Sequence, residues 1–450
     1  MKPRIEALKQ EQGAAMVLVM FLVAMLSLMS VLLIDTVQEE ADSSAQAVER
    51  NAALQAAEAG IDDYVAKLVD DRLYYVHQVH PGEGTREEPG GTEVSAGTAW
   101  SYGLAWTYPN EFDTWRALSN GYEYSLKIVP PNPGEEAVHI TAAGRKVGTT
   151  DDTRVVEALI RPSSIADFQR IVNGDVSWGS GATTNGKLYA NGTIDHDGIA
   201  KANIYAEDNV TGSTTLQNGA KKYDHNTIRS VIKNPVNFNS LLASLVDVQR
   251  AAQVGGVYLD NPAVHGWRIT FNANGTFSVQ TCTRSGGNDI AAVQPNCVNY
   301  SPATYNVPSN GAVYAGQSVI VSGQVNGRVT VASNDNIVIA NDISYVTSGS
   351  DVLGLVAKNN VYGAQWCPNN LTWRAAVLAQ SGTWKGWTSS TIKNTMVHKG
   401  SSTTNLGGDW TMFATRDYSY DETLLFLPPP WFPTIEDAYT VNLFRELPGT

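Results

Sequence analysis

The sequence predicts an α+β chain: a long N-terminal transmembrane-plus-amphipathic helix, a small antiparallel β head, then a mainly β domain of β-helix or solenoid character with a helical and hairpin insertion. Three observations predict it. Residues 14–34 run apolar apart from Ser27 and Ser30, which is about the 20 residues that cross a bilayer as one helix. Residues 36–68 hold no proline and one glycine, Gly60, and are rich in Ala, Glu, Gln and Leu, all strong helix formers. From residue 163 onward, short apolar triplets are set among Gly, Asn, Asp and Thr, the texture of short strands and tight turns.

Residues 1–13 read as a leader. Lys2, Arg4 and Lys9 precede the apolar run beside Glu6 and Glu11, and Asp35, Glu39, Glu40 and Asp42 follow it. Basic before and acidic after puts the N-terminus in the cytoplasm and the bulk outside. Three readings compete for the segment. A cleaved secretory signal has an apolar core of roughly 7–15 residues and a small-residue cleavage site. This core is longer, and Leu32-Leu33-Ile34-Asp35 is a poor site. A plain signal anchor fits. So does a prepilin leader, a polar segment ending in glycine before an apolar helix, with Gly13 at the boundary.

Residues 14–70 form the spine. Leu54, Ala57, Ile61, Val65 and Leu68 recur at three- and four-residue steps, which makes one apolar stripe. A single helix from Ala14 to Leu68 would be roughly 80 Å long at about 1.5 Å per residue. A simple anchor has no use for such a length. A filament subunit packs the first half among other helices and docks the stripe of the second half on its own globular part.

Two strings, Gly13-Ala14-Ala15-Met16-Val17-Leu18-Val19 and Gln55-Ala56-Ala57-Glu58-Ala59-Gly60-Ile61, resemble PilX-type minor pilins of type IV pili and, more loosely, the large minor pseudopilins of type II secretion. The resemblance covers about residues 1–70 and extends to the hairpin at 137–160. It implies cleavage after Gly13 by a prepilin peptidase, methylation at Ala14, and assembly contacts through Ala14, Leu18, Ala57, Glu58 and Gly60. It also implies other minor and major pilins and an inner-membrane assembly platform as partners. Major pilins carry glutamate where this chain has Leu18. A buried, unpaired ammonium is costly, so Leu18 suits a low-copy subunit at a filament tip rather than the repeating one. The bland reading of Leu18 is an ordinary membrane residue of a monomeric anchor.

Residues 71–95 read as a loop punctuated by Gly and Pro. His77 and His80 precede its core, and without a third ligand nearby they read as a solvated helix end. Residues 96–162 read as a small antiparallel sheet: Tyr122 to Val129, His139 to Ala142 and Arg154 to Ile160 alternate, with a hairpin connection at 144–152. Residues 163–450 read as the β-solenoid-like domain. Val319, Ile337 and Leu355 are spaced by 18, and the strings NGKLYA/NGTID and SVIVSG/RVTVAS/NIVIAN look like stacked rungs. The competing architecture is an antiparallel sandwich of short strands.

The insertion spans about 223–300: a helical segment from Tyr223 to Ala252, then strands 267–271 and 276–280 about the turn Asn272-Ala273-Asn274-Gly275. It reads as lying on the side of the solenoid, closed by Cys282 and Cys297, whose oxidation export favours. Cys367 is either free and buried beside Trp366 or the partner of one of the other two. The run Tyr420-Asp421-Glu422-Thr423-Leu424-Leu425-Phe426-Leu427-Pro428-Pro429-Pro430-Trp431-Phe432-Pro433 holds three prolines that cannot continue a ladder or helix; it reads as a seal on the end of the β core, with a recognition ligand for another domain as the competing reading. Endings of this kind also occur in large exported proteins of the PilX-like type.

Net charge is −13 and charged residues are 17%, which argues against a nucleic-acid partner. The best acidic cluster, Asp195-His196-Asp197-Gly198, lacks the further acidic positions of a calcium loop and reads as a turn between rungs. There is no nucleophile elbow, zinc helix or phosphate loop. The chain is expected to be no enzyme and to hold no metal or cofactor. Two functions follow. One is a minor pilin or pseudopilin that primes or caps a type IV pilus-like filament and acts in adhesion, with a surface or glycan target. The other is a membrane-anchored exoplasmic β-solenoid that binds surface glycan outside any filament. In both, the chain is a single-pass inner-membrane protein; the first ends in a surface filament.

Overall fold

The computed structural model describes residues 25, 29, 40, 43–69, 77–78, 92–93, 115–129, 131, 137–150, 153–232, 234–284, 289–388 and 391–447. The expected α+β class with a long membrane-crossing spine is corrected. The described residues are mainly β, with 48% strand against 15% helix, and no helix among them is long and apolar enough to cross a membrane. Most of the apolar run lies outside the described residues. The continuous helix, α1, spans 43–69. The physical reason for the class is length: most of residues 115–447 is turn-punctuated, β-favouring sequence, and it outweighs one helix.

The first strands, β1 (His77–Gln78) and β2 (Thr92–Glu93), form a two-residue antiparallel ribbon. The head follows: β3 (Arg116–Ala117), β4 (Tyr122–Val129), β5 (Val138–Lys146) and β6 (Arg154–Ser164). Their alternation aims Tyr124, Leu126, Ile128, Ile140, Ala142, Val156, Ala158 and Ile160 at one face, all fully buried. That face takes α1. The most buried helix residues are Ala53, Ala56, Ala57, Tyr64 and Leu68, while Leu54 and Val65 are only partly covered, so the stripe is turned slightly from the one read in sequence.

After β6 the chain turns at Ile165–Asp167 into a coil of short parallel strands. Its first piece is β7 (Phe168–Val172), β8 (Val176–Trp178), β9 (Thr183–Thr184), β10 (Lys187–Ala190), β11 (Ile194–His196), β12 (Ile199–Ala200), β13 (Ile204–Ala206), β14 (Val210–Thr211), β15 (Thr215–Leu216) and β16 (Lys222–Tyr223). Each strand pairs in parallel with its equivalent one turn later: Leu188 with Arg170 and with Ile204, and Ile194 with Val176 and with Val210. Leu188, Ala190, Ile194, Ala200, Ile204 and Ala206 fill the inside. The corners are held by side chains that stand in for strand partners: Asp175, Asp197 and Asn203 accept from the amides of Thr193, Ser213 and Lys221. Gly212 sits at φ +86°, where a Cβ would stand 2.6 Å from the His196 carbonyl oxygen, a conformation glycine adopts without penalty.

A strap, residues 224–255, then runs back over the outside. It ends in α2 (Leu241–Gly255); the wider helical segment expected from 223 to 252 is otherwise a short 3-10 turn at Ile228–Ser230 among turns and irregular chain. Next come β17 (Val257–Leu259), β18 (Gly266–Asn272), β19 (Thr276–Thr283) and β20 (Asn296–Asn306). The turn at Gly275, φ +77°, joins β18 to β19 as an antiparallel hairpin. Because β18 also pairs in parallel with β22 (Ser318–Val325), which follows β21 (Ala312–Ala315), the hairpin extends the end of the coil. It does not sit on its side. The remaining coil strands are β23 (Arg328–Ser333), β24 (Ile337–Tyr345), β25 (Val352–Ala357), β26 (Val361–Gly363), β27 (Asn370–Ala379), β28 (Trp384–Gly386), β29 (Lys393–Thr404) and β30 (Phe413–Ser419).

The rung pairing differs in part from the 18-residue spacing. Val319 does pair with Ile337, but Ile337 pairs with Val361, and Leu355 pairs with Val331. The turn after β24 lengthens that coil. Likewise SVIVSG stacks on NIVIAN, whereas RVTVAS stacks on β21 and β25, and the first-piece string NGKLYA stacks on the strand holding Ile204.

One face of the coil is a continuous parallel sheet in the order β17-β21-β23-β25-β27-β29-β7-β10-β13-β16. The chain thus enters the stack in its middle, runs to one end, crosses back along the strap, and coils from the other end until β29 meets β7. The last strand, β31 (Thr434–Leu447), leaves the coil and pairs antiparallel with β6. The head sheet is therefore β3-β4-β5-β6-β31, and the coil is inserted between two neighbouring strands of it.

Candidate functional site at the helix dock and the neck

The described part of the resemblance string lies in the helix dock. Ala57 is fully buried against the sheet, Glu58 is half-buried beside it, and Gly60 is buried. Two glycines let helix and sheet approach. A Cβ on Gly144 would stand 2.1 Å from the Ala53 carbonyl oxygen, and one on Gly60 would stand 2.6 Å from the Tyr124 ring. Polar bonds fix the rotation of the helix: Tyr124 donates its hydroxyl to Asp63 at 2.9 Å, and Lys146 pairs with Glu49 at 2.9 Å. Burial, reinforced by Asp63, pushes the Tyr124 hydroxyl well above its usual range. Gly13, Ala14 and Leu18 lie outside the described residues.

The neck joins head to coil, and sequence reasoning missed it. Arg161, at the end of β6, is 2% exposed and paired with Asp167, also 2% exposed. The same guanidinium donates to the carbonyls of Pro162 and, far along the chain, Leu425 at 2.8 Å. Burial pushes the Asp167 carboxyl up and Arg161 opposes it. Ser164 caps the 3-10 turn, accepting from the Ala166 amide, while Asp167 accepts from the Ser164 amide. Ser164 and the Ile165 amide also donate to the Pro433 carbonyl. The outgoing and returning connections are thus clamped together at one buried ion pair. The Ser-x-x-Asp spacing, a capping-box pattern, is the signal that could have found the turn; nothing in sequence points to the partner carbonyls more than 260 residues away.

The proline run does not seal an end of the coil. It lies along its flank: Trp431 donates to the Asn310 carbonyl at 2.7 Å, Thr330 donates to that of Pro430, and Pro429 and Phe432 press on Gly354. Between this run and the head is a cleft of about 250 Å³ lined by Leu159, His139, Leu427 and Pro428 among others.

Cys282 and Cys297 face each other across β19 and β20 and are bonded. Cys367 is free and buried, and burial pushes its thiol up to about 11. Strand alternation separates the acidic cluster: Asp195 accepts from Thr211 on the outside, and His196 is buried inside against Trp178. Asp197 serves the next corner. The side chains of His77 and His80 lie outside the described residues.

No protein-family model matches the chain, and no curated protein does. Among solved structures it is similar to the crystal structure of the competence-associated pilin ComZ from Thermus thermophilus, at 14% identity and a TM-score of 0.29, over 89% of this chain and 97% of that one.

Proposed function

We propose that the chain is a minor pilin or pseudopilin that primes or caps a type IV pilus-like filament and presents the coil as an adhesive domain. The observation that carries this is the dock: the amphipathic helix that continues the apolar run is seated flush on its own antiparallel sheet, with Ala53, Ala57 and Gly60 set against Gly144 and Tyr124. Such a head leaves the apolar run before it for contacts with other subunits. Its partners would be other minor and major pilins, the inner-membrane assembly platform, a prepilin peptidase and a surface or glycan target. Leu18 supplies no carboxylate for a neighbour's N-terminal amine, and a buried ammonium without one is costly, so few copies are expected per filament. No catalytic role is assigned.

Processing tests this. Coexpression with a prepilin peptidase is expected to yield a chain that begins at Ala14 by mass spectrometry, and Gly13→Glu is expected to block it. A chain that keeps Met1 in a host with active peptidase would sink the filament assignment and leave a membrane-anchored exoplasmic protein. Proteomics of sheared filaments is expected to find the chain far below the major subunit.

A further inference from the structure

The coil is continuous on one face but not on the others. Within the first piece, each turn rests on the next through three strands: β7 on β10, β8 on β11 and β9 on β12. Below β7 lies β29, but among the described residues β8 and β9 have partners on one side only. Strand pairing between the two pieces, 168–223 and 257–419, is therefore limited among the described residues to Arg170 with Ser402, Ile171 with Thr403 and Val172 with Thr404.

The filling of the junction is polar: Arg170 and Ser402 stand between apolar Leu188 in the turn on one side and Val377 in the turn on the other. Arg170 points inward, buried, donating to Ser402 at 3.2 Å and to the Gly408 carbonyl at 2.8 Å, with its guanidinium over the Trp384 ring. The buried hydroxyls of Thr403 and Thr404 find no partner among the described residues. Other contacts across the junction are the Asn173 amide to the Thr404 carbonyl, Gln169 to the Tyr418 carbonyl and Asn173 to Asn405, and on the outer face of the sheet Ile171 and Tyr189 share a buried apolar cluster with Ala376 and Leu378. Interfaces of this polar kind resemble those between domains that move.

The strap divides at the same place. Tyr189 and Asn191 of the first piece hold Val236. Gln380 and Asn310 of the second hold Leu241 and Ala251. Only the turn at 237–240 lies between these anchors. The head grips both sides too: β6 leads straight into β7, while β31 is reached through the proline run fixed to the second piece at Asn310 and Thr330.

We propose that the β29–β7 junction is an openable joint, at which residues 168–223 undock from residues 257–419 as a unit, hinging at 237–240, while each piece keeps its own turns.

Hydrogen exchange of the full chain, read by fragmentation mass spectrometry, tests it. The Asn173 amide bridges the joint to Thr404, whereas the Asn191 amide bonds Val172 within the first piece and the Gln380 amide bonds Ala357 within the second. Asn173 is expected to exchange at least tenfold faster than Asn191 and Gln380. A disulfide in Asn173→Cys/Asn405→Cys, at side chains 2.6 Å apart, is expected to remove that difference, and reduction to restore it. Equal exchange of the three amides in the unmodified chain, or no effect of a formed cross-link, would overturn the joint. Neither outcome bears on whether the chain enters a filament.

Discussion

Acid should weaken the coil through His398. This residue lies inside the second piece, with its ring 4.1 Å from that of Trp373 and 5.4 Å from that of Trp384. Its Nε2 donates to the Ala375 carbonyl at 3.1 Å, so the neutral ring is already satisfied. Burial holds its pKa down, from 6.5 to about 4, and Arg170 adds to this, while the hydrogen bond to Ala375 and the charge of Asp421 oppose it. The sign follows from proton uptake. The unfolded chain takes a proton near pH 6.5 and the folded chain only near 4, so His398 favours the fold above 6.5 and loses that contribution as pH falls. At about 1.4 kcal/mol per unit, the full loss is about 3 kcal/mol, of which about 2 kcal/mol falls between pH 7 and 4.5. His398→Gln keeps an amide donor and removes the titration. Urea unfolding of the full chain in mild detergent, at pH 7 and 4.5, measures the effect as the difference between the two proteins' pH dependence. That difference should be about 2 kcal/mol, with the wild type the more acid-sensitive. Identical pH dependence would show that His398 is reached by water in the folded chain, and the buried layer described here would be wrong.

Three further outcomes are expected. Gly144→Ala should cost about 3 kcal/mol, since its Cβ meets the Ala53 backbone, whereas Gly60→Ala should cost less because the Tyr124 ring can shift; urea midpoints rank the two. Arg161→Met should cost about 3–5 kcal/mol by leaving Asp167 buried and unpaired, and Arg161→Met/Asp167→Leu should recover most of it, which a double-mutant cycle reads directly. Cys297→Ser should cost about 3 kcal/mol for a loop of this size, with faster hydrogen exchange confined to β18, β19 and β20.

Elements whose pairing is local were legible in the sequence. The strands at 122–129 and 154–160, the hairpin about Gly275 and the Cys282–Cys297 pair all join residues close along the chain, where alternation and turn chemistry act directly. The stripe on α1 was legible to within about one position, because helical spacing says which face is apolar but Tyr64 and Ala53 gain their burial from the particular shape of the sheet. Of the functional candidates, the string around Gly60 could be found from sequence, but the reason for its glycine, a ring from β4, could not.

By itself, then, the sequence determined that a helical stripe must be covered, where the head strands and tight turns fall, and that the large remainder is built of short strands. Only the tertiary structure decided that the chain is mainly β, how the rungs order themselves, and that the coil is entered in its middle. Strands of two to four residues, each a small apolar triplet, are nearly interchangeable in sequence, so their neighbours are chosen by which end of the stack is free. The choice of β29 as the partner of β7, of β31 as the partner of β6, and of the Leu425 and Pro433 carbonyls as the partners of Arg161 and Ser164 joins residues more than 200 positions apart. No local propensity encodes such pairs; they arise because the folded core brings two otherwise unsatisfied edges to the same place.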